Sequence, residues 1–435
     1  MGNVERRKQI VIVGGGVAGL EVATTLGRRS LKHPSAPAIT LVDRDSAHVW
    51  KPMLHTIAAG TRDISQQQTT YIAQARDAGF AYQPGELSGL DRTGRELLMA
   101  PLYAADGRLL VPARRLAYDT LIIAVGSEAN DFGTPGVLEH CFRIDSRLQA
   151  DAFNHEIRIR MLQCLAQDGE LSIAIVGGGA TGVELAAELV QLTEAAVAYG
   201  AKGLAARISI TLIESGSRLL AAFPQDISAA TRTRLEKLGI KVLTDTRVSA
   251  ANADGFVLGD GGKIAASLKV WAAGVKAPAF LANLDGLEVT RGNQLVIQRT
   301  LQTTRDPDIY AIGDCSSLTL PGAERPLPPT AQVAHQHAQH LIRHLPGAVM
   351  HGERVPAFAY RDFGSLVSLG GYDAYGSLGK FGLLKGATIR GRLAQLSHVM
   401  LYRSHQARLY GFWRGGLLWL VDRLNSRLRS SIRLD

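Results

Sequence analysis

Residues 9–19 read QIVIVGGGVAG, a short β-branched run that ends in closely spaced glycines. These glycines have GxGxxG spacing, and an apolar helical pattern follows over residues 17–28. The next β-branched run, residues 38–43, ends on Asp43. This order indicates a βαβ unit in which glycines admit a pyrophosphate at the helix N-terminus and the acid accepts hydrogen bonds from a ribose. The predicted dinucleotide-binding residues are Gly14, Gly15, Gly16, Gly19 and Asp43.

The same module recurs as LSIAIVGGGATGVELAAELV at residues 171–190, followed by ISITLIES at 208–215. An internal duplication of this kind predicts two dinucleotides, and FAD with NAD is the economical pair. Glu214 at the end of the second strand favours a free ribose 2′-hydroxyl and therefore NADH, although nearby Arg218 leaves NADPH open. The residues predicted to bind NAD are Gly177, Gly178, Gly179, Gly182 and Glu214.

Three further strand-like runs end in glycine turns, namely YDTLIIAVGS (118–127), LKVWAAGV (268–275) and DIYAIGDCS (308–316). Strands that alternate with helical segments predict an α/β fold with two Rossmann-type domains. A loop rich in Pro and Gly leads into a helix rich in His and Gln, AQVAHQHAQHLIRHL, at residues 331–345. The turns add Gly126, Gly313 and Asp314 to the first site and Gly274 to the second. Asp314 has an alternative role as the cap of a turn.

The composition is that of a globular protein of two or three domains, with 435 residues, 46% hydrophobic and 20% charged. Three widely separated cysteines form no CxxC pair, which argues against a zinc ribbon or a local dithiol centre and favours a reducing compartment. The N-terminal residues contain no apolar stretch typical of a secretory signal. We expect a packing role for Cys315 beside the AIGD turn.

Almost all of the net charge of +9 lies in the last 51 residues, where ten basic residues face two acidic ones. Apolar and aromatic residues follow a helical stripe there with arginines beside or behind it, which predicts a helix lying in a membrane surface. A helix covering a core and a homodimer contact are the alternatives, and no nucleic-acid module is recognisable. The stripe residues are Trp413, Leu417, Leu420, Val421, Leu424 and Leu428, and the arginines are Arg423, Arg427, Arg429 and Arg433.

Four histidines in the segment 331–345 have spacings that could place two metal ligands on one helix face. No neighbouring carboxylate or cysteine completes a ligand set, so we expect no metal site. The alternative for the glutamines of this segment is a polar helix facing solvent.

The chain resembles the type II NADH:quinone dehydrogenases over essentially its whole length. Two stretches beyond the fingerprints carry this resemblance, HVWKPMLHTIAAGT at 48–61 and AIGDCS at 311–316. The most specific match is Ala331-Gln332-Val333-Ala334-His335-Gln336, which corresponds to the AQxAxQ motif at the quinone end of the family's site. One departure is GSLVSLGG at 364–371, where Gly371 replaces a basic residue common in the family.

The resemblance implies that NADH gives a hydride to bound FAD and that the electrons pass to a membrane quinone without proton pumping. It implies an NADH domain (151–269) inserted in a FAD domain (1–150 and 270–350), with a C-terminal membrane-associating region (351–435). Glu184 is expected to help place the nicotinamide and bind NAD, and Gln332 and Gln336 to contact the flavin and a quinone carbonyl. The resemblance adds Lys51, Ala331 and Gln332 to the FAD-binding residues.

Two other functions share the predicted fold. A sulfide:quinone oxidoreductase needs a pair of redox cysteines near the flavin, and the placement of Cys141, Cys164 and Cys315 does not supply one. A flavin-loaded redox sensor with slow turnover is the non-enzymatic alternative. We expect a peripheral protein on the cytoplasmic face of a bacterial inner membrane, with the quinone, the tolerance of NADPH and the oligomeric state left open.

Overall fold

The computed structural model describes residues 6–62, 68–104, 106–379 and 388–428, and the chain divides into two compact units. The first unit comprises Met1–Trp50, Gln68–Glu128 and Val275–Tyr360. The second comprises Lys51–Gln67, Ala129–Gly274 and Arg361–Asp435. These divisions fall at residues other than the predicted domain boundaries, which remain predictions about where each ligand is bound.

A five-stranded parallel sheet forms the centre of the first unit, in the order β22-β11-β1-β2-β5. In its central strand, Ile12 lies opposite Ile122 on one side and Leu41 on the other, and all three are fully buried. Helices cover both faces of such a sheet, which explains why its strands read as continuous apolar runs. The strands of this unit are β1 (Gln9–Val13), β2 (Ala38–Asp43), β3 (Ala47–Val49), β4 (Gln68–Thr70), β5 (Ala81–Pro84), β6 (Leu87–Asp91), β7 (Glu96–Met99), β8 (Leu102–Tyr103), β9 (Leu109–Val111), β10 (Arg114–Ala117), β11 (Thr120–Ile123), β20 (Val275–Lys276), β21 (Leu295–Val296), β22 (Ile309–Ala311) and β23 (Ser316–Ser317).

A four-stranded parallel sheet forms the centre of the second unit, in the order β15-β14-β13-β19. Ile175 of its central strand lies opposite Leu212 and Val270, which repeats the arrangement of the first sheet. The predicted α/β fold with two Rossmann-type cores is thus confirmed. The strands here, with β12 at the boundary, are β12 (Glu128–Ala129), β13 (Leu171–Val176), β14 (Ile208–Ile213), β15 (Lys241–Leu243), β16 (Val248–Asn252), β17 (Gly255–Leu258), β18 (Lys263–Ala265), β19 (Leu268–Trp271), β24 (Gly364–Ser368), β25 (Ala374–Leu378) and β26 (Thr388–Arg390).

Helices follow both glycine turns, as predicted. The helices of the first unit are α1 (Val17–Lys32), α3 (Tyr71–Ala78) and α9 (Ala331–His351). Those of the second unit are α2 (Leu54–Ala58), α4 (Val137–His140), α5 (Arg147–Gln167), α6 (Ala180–Ala198), α7 (Leu204–Arg207), α8 (Gln225–Lys237), α10 (Arg392–Tyr410) and α11 (Phe412–Leu428). Single turns of 3-10 helix cover Lys51–Met53, Ala279–Asn283 and Gly313–Cys315.

Helix α9 continues beyond the predicted end at residue 345 and passes through Pro346. A proline has no N–H group, so the carbonyl of Ile342, four residues earlier, loses its helical partner. The guanidinium of Arg29 in α1 donates a hydrogen bond to that carbonyl at 2.5 Å. A side chain of the first fingerprint helix therefore replaces the missing backbone hydrogen bond.

The C-terminal part of the second unit contains the three-stranded antiparallel sheet β24-β25-β26 and the helices α10 and α11. The C-terminal helix predicted from the apolar stripe is confirmed as α11, whereas α10 was not predicted. Among the described helices, none has the length and apolar character needed to cross a membrane. Arg429, Arg433 and the side chains of Arg427 and Leu428 lie outside the described part of the tail.

Candidate active site

The first glycine turn has the backbone that its sequence predicts. Gly14 adopts φ +103, and a Cβ at this position would overlap the carbonyl oxygen of Ala124. A Cβ at Gly19 would overlap the carbonyl oxygen of Gly14, because helix α1 packs closely on β1. Only glycine fits at either position.

The space in front of this turn is open. A Cβ at Gly16 would meet only the Ala124 oxygen at 4.0 Å, and one at Gly126 would meet nothing within 4 Å. Gly16 is the N-cap of α1 and provides no side chain to bond the first helical amides. An open cradle at a helix N-terminus fits the pyrophosphate of a dinucleotide.

Asp43 closes the turn from the end of β2. Its Oδ2 accepts a hydrogen bond from the Gly15 amide at 2.5 Å, and its Oδ1 accepts one from the Asp45 amide at 2.8 Å. Burial raises the pKa of Asp43, and these two amides oppose the shift. The carboxylate is thereby fixed beside the glycines, where it can accept hydrogen bonds from a ribose.

Two residues that were not predicted to belong to the site fix the same turn. The Tyr71 hydroxyl donates to the Gly15 carbonyl at 3.0 Å, and His48 Nδ1 lies 3.0 Å from the same oxygen. Because a carbonyl only accepts, His48 carries its proton on Nδ1, and burial lowers its pKa to about 4. His48 begins the HVWKP run, whereas no local pattern marks Tyr71.

Asp314 lies on the single 3-10 turn after β22, as the AIGD motif predicts. Its Oδ2 accepts a hydrogen bond from the Ser127 hydroxyl at 2.8 Å, and its carbonyl accepts one from Gln294 at 3.1 Å. Gly313 has φ +72, which suits glycine. Cys315 is fully buried, and burial raises the pKa of its thiol to about 12, in agreement with a packing role.

Helix α9 presents the AQxAxQ motif in its first two turns. The Thr330 hydroxyl caps this helix by accepting a hydrogen bond from the Val333 amide at 3.3 Å. Gln332 and Gln336 are half-buried, and Gln332 accepts a hydrogen bond from the Tyr360 hydroxyl at 3.3 Å. The helix packs on α1 through an apolar face, so it is not a polar helix that faces solvent throughout.

Two histidines of α9 make hydrogen bonds to backbone groups. His337 is buried, its Nδ1 accepts a hydrogen bond from the Gly313 amide at 3.3 Å, and its ring lies edge-on to Phe358. Burial lowers the pKa of His337 to about 3. His340 Nε2 lies 2.9 Å from the Pro356 carbonyl. Among the described residues, no cluster of metal-ligating side chains occurs.

The second glycine turn repeats the construction of the first within its own unit. Gly177 has φ +118 and would overlap the Ala272 oxygen if it carried a Cβ, whereas a Cβ at Gly179 would meet nothing within 4 Å. Glu214 accepts hydrogen bonds from the Gly178 amide at 2.6 Å and the Gly216 amide at 2.6 Å. Glu214 therefore has the same position relative to the second glycine turn as Asp43 has relative to the first. A second cradle with a ribose acceptor fits NADH.

Arg218 lies close to this acid but is committed elsewhere. Its Nη1 donates to the Phe223 carbonyl at 2.8 Å and its Nη2 to the Ala221 carbonyl at 2.7 Å. Gly274, after β19, has φ +65, and a Cβ there would meet the Phe132 ring at 2.9 Å.

Glu184, one turn into α6, is almost fully buried. Its Oε1 accepts a hydrogen bond from the Ser368 amide at 2.9 Å, and its Oε2 lies 3.4 Å from His55 Nδ1. Burial raises the pKa of Glu184 to about 8 and, with His398 and Arg62, lowers the pKa of His55 to about 3. Although the two groups are within ion-pair distance, both are therefore mainly uncharged at neutral pH.

A model of the pyridine nucleotide-disulphide oxidoreductase family matches residues 8–338, a range that includes both glycine turns. A type II NADH:quinone oxidoreductase of Haemophilus influenzae is 41% identical over 446 aligned residues, which cover 98% of this chain and 100% of the relative. The chain belongs to the type II NADH:quinone oxidoreductases of this family.

More distant proteins agree. A type II NADH:quinone oxidoreductase of Staphylococcus aureus is 27% identical over 85% of this chain and 89% of its own length. NDH2 from Plasmodium falciparum, solved in complex with NADH, superposes with a TM-score of 0.83 at 20% identity, covering 99% of this chain and 100% of that one. Sulfide:quinone oxidoreductase from Aquifex aeolicus superposes with a TM-score of 0.71 at 16% identity, covering 93% and 92%. The two solved structures show that the fold is shared.

The predicted site residues of this oxidoreductase fall into two groups. One belongs to the first unit and comprises Gly14, Gly15, Gly16, Gly19, Asp43, Gly126, Gly313, Asp314, Ala331, Gln332 and Gln336. The other belongs to the second unit and comprises Gly177, Gly178, Gly179, Gly182, Glu184, Glu214 and Gly274. Lys51, predicted to bind FAD, begins the 3-10 turn Lys51–Met53 of the second unit.

Proposed function

We propose that this protein oxidises NADH with a bound FAD and reduces a quinone at a membrane surface, without pumping protons. The observation that carries the proposal is the pair of glycine turns. Each turn leaves open space at a helix N-terminus, and in each a carboxylate accepts a hydrogen bond from a backbone amide of the turn. The 41% identity to the Haemophilus influenzae enzyme supports NADH and quinone as the substrates. FAD, when bound, supplies the capacity to take a hydride and pass on two electrons.

The first unit would hold FAD. The amides at the start of α1 and the open side of Gly16 and Gly126 would receive the pyrophosphate, while Asp43 would accept hydrogen bonds from the adenosine ribose. Asp314, oriented by Ser127, would hold the ribityl and pyrophosphate region. These groups bind and orient the cofactor.

The second unit would hold NADH rather than NADPH. Glu214 would accept hydrogen bonds from the ribose hydroxyls and repel a 2′-phosphate. Arg218 has both terminal nitrogens on backbone carbonyls, so it is poorly placed to attract that phosphate. Glu184, mainly protonated at neutral pH, would donate a hydrogen bond to the nicotinamide carboxamide.

The quinone end would lie at the start of α9. Gln332 and Gln336 are half-buried amides one helical turn apart, and each can donate a hydrogen bond to a quinone carbonyl. Tyr360 fixes the Gln332 amide by donating to its oxygen. The amides would thus set the orientation of the quinone head group.

The C-terminal helices would bind the membrane surface. Apolar side chains extend into solvent from both helices, with Leu393 of α10 at 68% and Trp413 of α11 at 85% exposure. Arg423 stacks over the Trp419 ring at 5.4 Å, so aromatic and basic groups are adjacent. Burial of such side chains in the membrane surface contributes about 25 cal/mol of free energy per Å² of apolar surface. Together with arginines that contact anionic headgroups, this contribution would give peripheral binding. A homodimer through these helices is the competing arrangement.

We place the protein on the cytoplasmic face, which supplies NADH. Its three cysteines are all free, as expected in a reducing compartment. Burial raises the pKa of Cys141 to about 12, as it does for Cys315, so neither thiol is prepared for sulfide chemistry.

The test uses the full chain purified in mild detergent with FAD. Anaerobic NADH should bleach the visible flavin band rapidly, and added quinone should restore it at once. Failure of NADH to bleach the band would reject the dehydrogenase function. Slow recovery with quinone would indicate another electron acceptor or a redox sensor.

A further inference from the structure

A buried carboxylate joins the first fingerprint helix to the helix of the AQxAxQ motif. Glu21 of α1 has a side chain that is only 1% exposed, and both of its oxygens are bonded by α9. Oε2 lies 2.8 Å from His335 Nδ1, and Oε1 accepts a hydrogen bond from Gln339. A carboxylate is removed from water at a large cost unless groups of this kind compensate it.

The geometry fixes the role of each nitrogen of His335. The carboxylate can only accept, so Nδ1 carries a proton and donates it. Nε2 makes no hydrogen bond within the described residues, and the side chain is 27% exposed, so this atom can exchange a proton with water. A carboxylate behind an imidazole orients the ring and stabilises its protonated form.

The proposed reaction requires one proton from solvent in each turnover. Reduction of a quinone to a quinol takes two electrons and two protons, whereas NADH provides two electrons and one proton as a hydride. NADH, a proton and quinone therefore give NAD⁺ and quinol. The second proton has to cross from water to the quinone end of the site.

We propose that His335, positioned by Glu21, delivers this proton, an inference that rests on the proposed function. His335 lies in α9 between Gln332 and Gln336, at the end of the site assigned to the quinone. In the step, the N–H bond at Nε2 breaks and an O–H bond forms at the reduced quinone oxygen, directly or through one water. The imidazole is left neutral with Nδ1–H still on Glu21, and water returns a proton to Nε2.

Three other basic or titratable groups on these helices have hydrogen-bond partners. Arg29 of α1 donates to the Ile342 carbonyl, and His337 of α9 is buried on the Gly313 amide. His340 lies on the Pro356 carbonyl. Among the described ion pairs, Glu21 is the acidic residue that pairs with His335.

The decisive variant is His335→Asn, whose amide can keep the bond to Glu21 but cannot transfer a proton. Bleaching of the flavin band by NADH should stay within twofold of wild type. Recovery of the band with quinone should slow about 100-fold and lose its pH dependence, as expected for removal of a general acid. His351→Asn, at the exposed end of the same helix, is the matched control and should behave as wild type.

A second variant, Glu21→Gln, keeps the shape and removes the charge that stabilises the imidazolium. The pH profile of quinone-driven recovery should change, whereas bleaching by NADH should not. NMR of ¹⁵N-histidine-labelled holoenzyme gives a readout apart from turnover: the signal absent from His335→Asn should change its chemical shift in Glu21→Gln, because a neutral amide replaces the carboxylate at Nδ1.

Wild-type rates and pH profile in His335→Asn would overturn the inference. If that variant loses FAD, an unchanged pH profile of recovery and an unchanged His335 signal in Glu21→Gln would overturn it instead. Wild-type protein that fails to bleach with NADH, or to recover with quinone, would overturn the proposed function and the inference together.

Discussion

At the scale of single residues, the charges of the nucleotide sites are set by their backbone partners. Glu214 is fixed by two amides, and Arg218 is occupied by two carbonyls. A sequence that contains an acid and an arginine four residues apart does not reveal which of the two faces the ribose. From these hydrogen bonds we infer that Glu214, and not Arg218, takes that position.

We predict opposite outcomes for substitutions of these two residues. Glu214→Gln should raise the KM for NADH about 10-fold, because a charge-assisted hydrogen bond is worth roughly 1.5–3 kcal/mol, and should improve relative use of NADPH. Arg218→Gln should leave the preference for NADH within about twofold. Steady-state kcat/KM for both nucleotides checks this, and loss of selectivity in Arg218→Gln would contradict it.

A second prediction concerns pH and Glu184. Burial raises its pKa from 4.5 to about 8, so the folded protein keeps a proton that the unfolded chain releases. The contribution of this group to stability therefore falls as the pH rises from about 4.5 to about 8 and is level above. One pKa unit is worth about 1.4 kcal/mol, so the fall is on the order of a few kcal/mol.

Glu184→Gln should remove this fall. Its Tm should match wild type near about pH 5 and exceed it by several degrees near about pH 9. Thermal unfolding of the FAD-loaded protein across this range is the measurement, with surface variant Glu236→Gln as control. An identical pH dependence of Tm in Glu184→Gln and wild type would show that this carboxyl is not held protonated.

At the scale of elements, the glycines of one turn differ in why a side chain is excluded: one is needed for the fold, and another we attribute to the ligand. Gly177 is required by the backbone, since its φ of +118 and the overlap with the Ala272 oxygen exclude a side chain. A Cβ at Gly179 would meet nothing within 4 Å, so we attribute this glycine to the ligand proposed for the open space in front of α6. The GxGxxG pattern alone does not distinguish these two reasons.

Gly177→Ala and Gly179→Ala test this distinction. Gly177→Ala should lower the stability of the second unit by about 1–3 kcal/mol through strain and overlap. Gly179→Ala should change Tm little but raise the KM for NADH about 10-fold, because its methyl group enters the pyrophosphate space. Differential scanning calorimetry and NADH titration separate the effects, and the reverse pattern would reject the assignment.

The C-terminal helices give a prediction about the membrane. Trp413→Ser with Leu417→Ser removes two exposed apolar side chains of α11 and should cause most of the protein to stay out of floating liposomes. Leu31→Ser with Ile72→Ser, two exposed apolar residues of the first unit, is the control pair and should float as wild type. Unchanged flotation of the first pair, with a change in sedimentation of the free protein, would favour a dimer contact.

At the scale of the whole molecule, the parts dictated by local pattern were predictable. The predicted strand 38–43 agrees with Ala38–Asp43, and the repeated module predicted at 171–190 begins with the strand Leu171–Val176, because buried parallel strands need continuous apolar residues. Tyr71 could not be predicted to hold Gly15, since its partner is 56 residues away. Helix α10 was missed because its apolar residues are mostly exposed and show no one-sided stripe.

Net charge also acts at this scale. The net charge is +9, and the residues after 384 carry +8 of it. Binding to vesicles that contain phosphatidylglycerol should therefore weaken as the salt concentration is raised to about 1 M, where the Debye length falls to about 3 Å. Binding to neutral vesicles should respond much less. Equal salt dependence on both vesicle types would mean that the arginines do not face the headgroups.

The hydrogen bond from Arg29 to the Ile342 carbonyl exists because Pro346 lacks an N–H group. A replacement of Pro346 by a residue with an amide would restore the backbone donor, and the carbonyl would then no longer depend on the guanidinium for a partner. Among relatives, the two residues should consequently occur together. Where the proline is absent, selection for an arginine at position 29 is relaxed. Where the arginine is absent, the proline leaves a helix carbonyl without a donor and destabilises the helix.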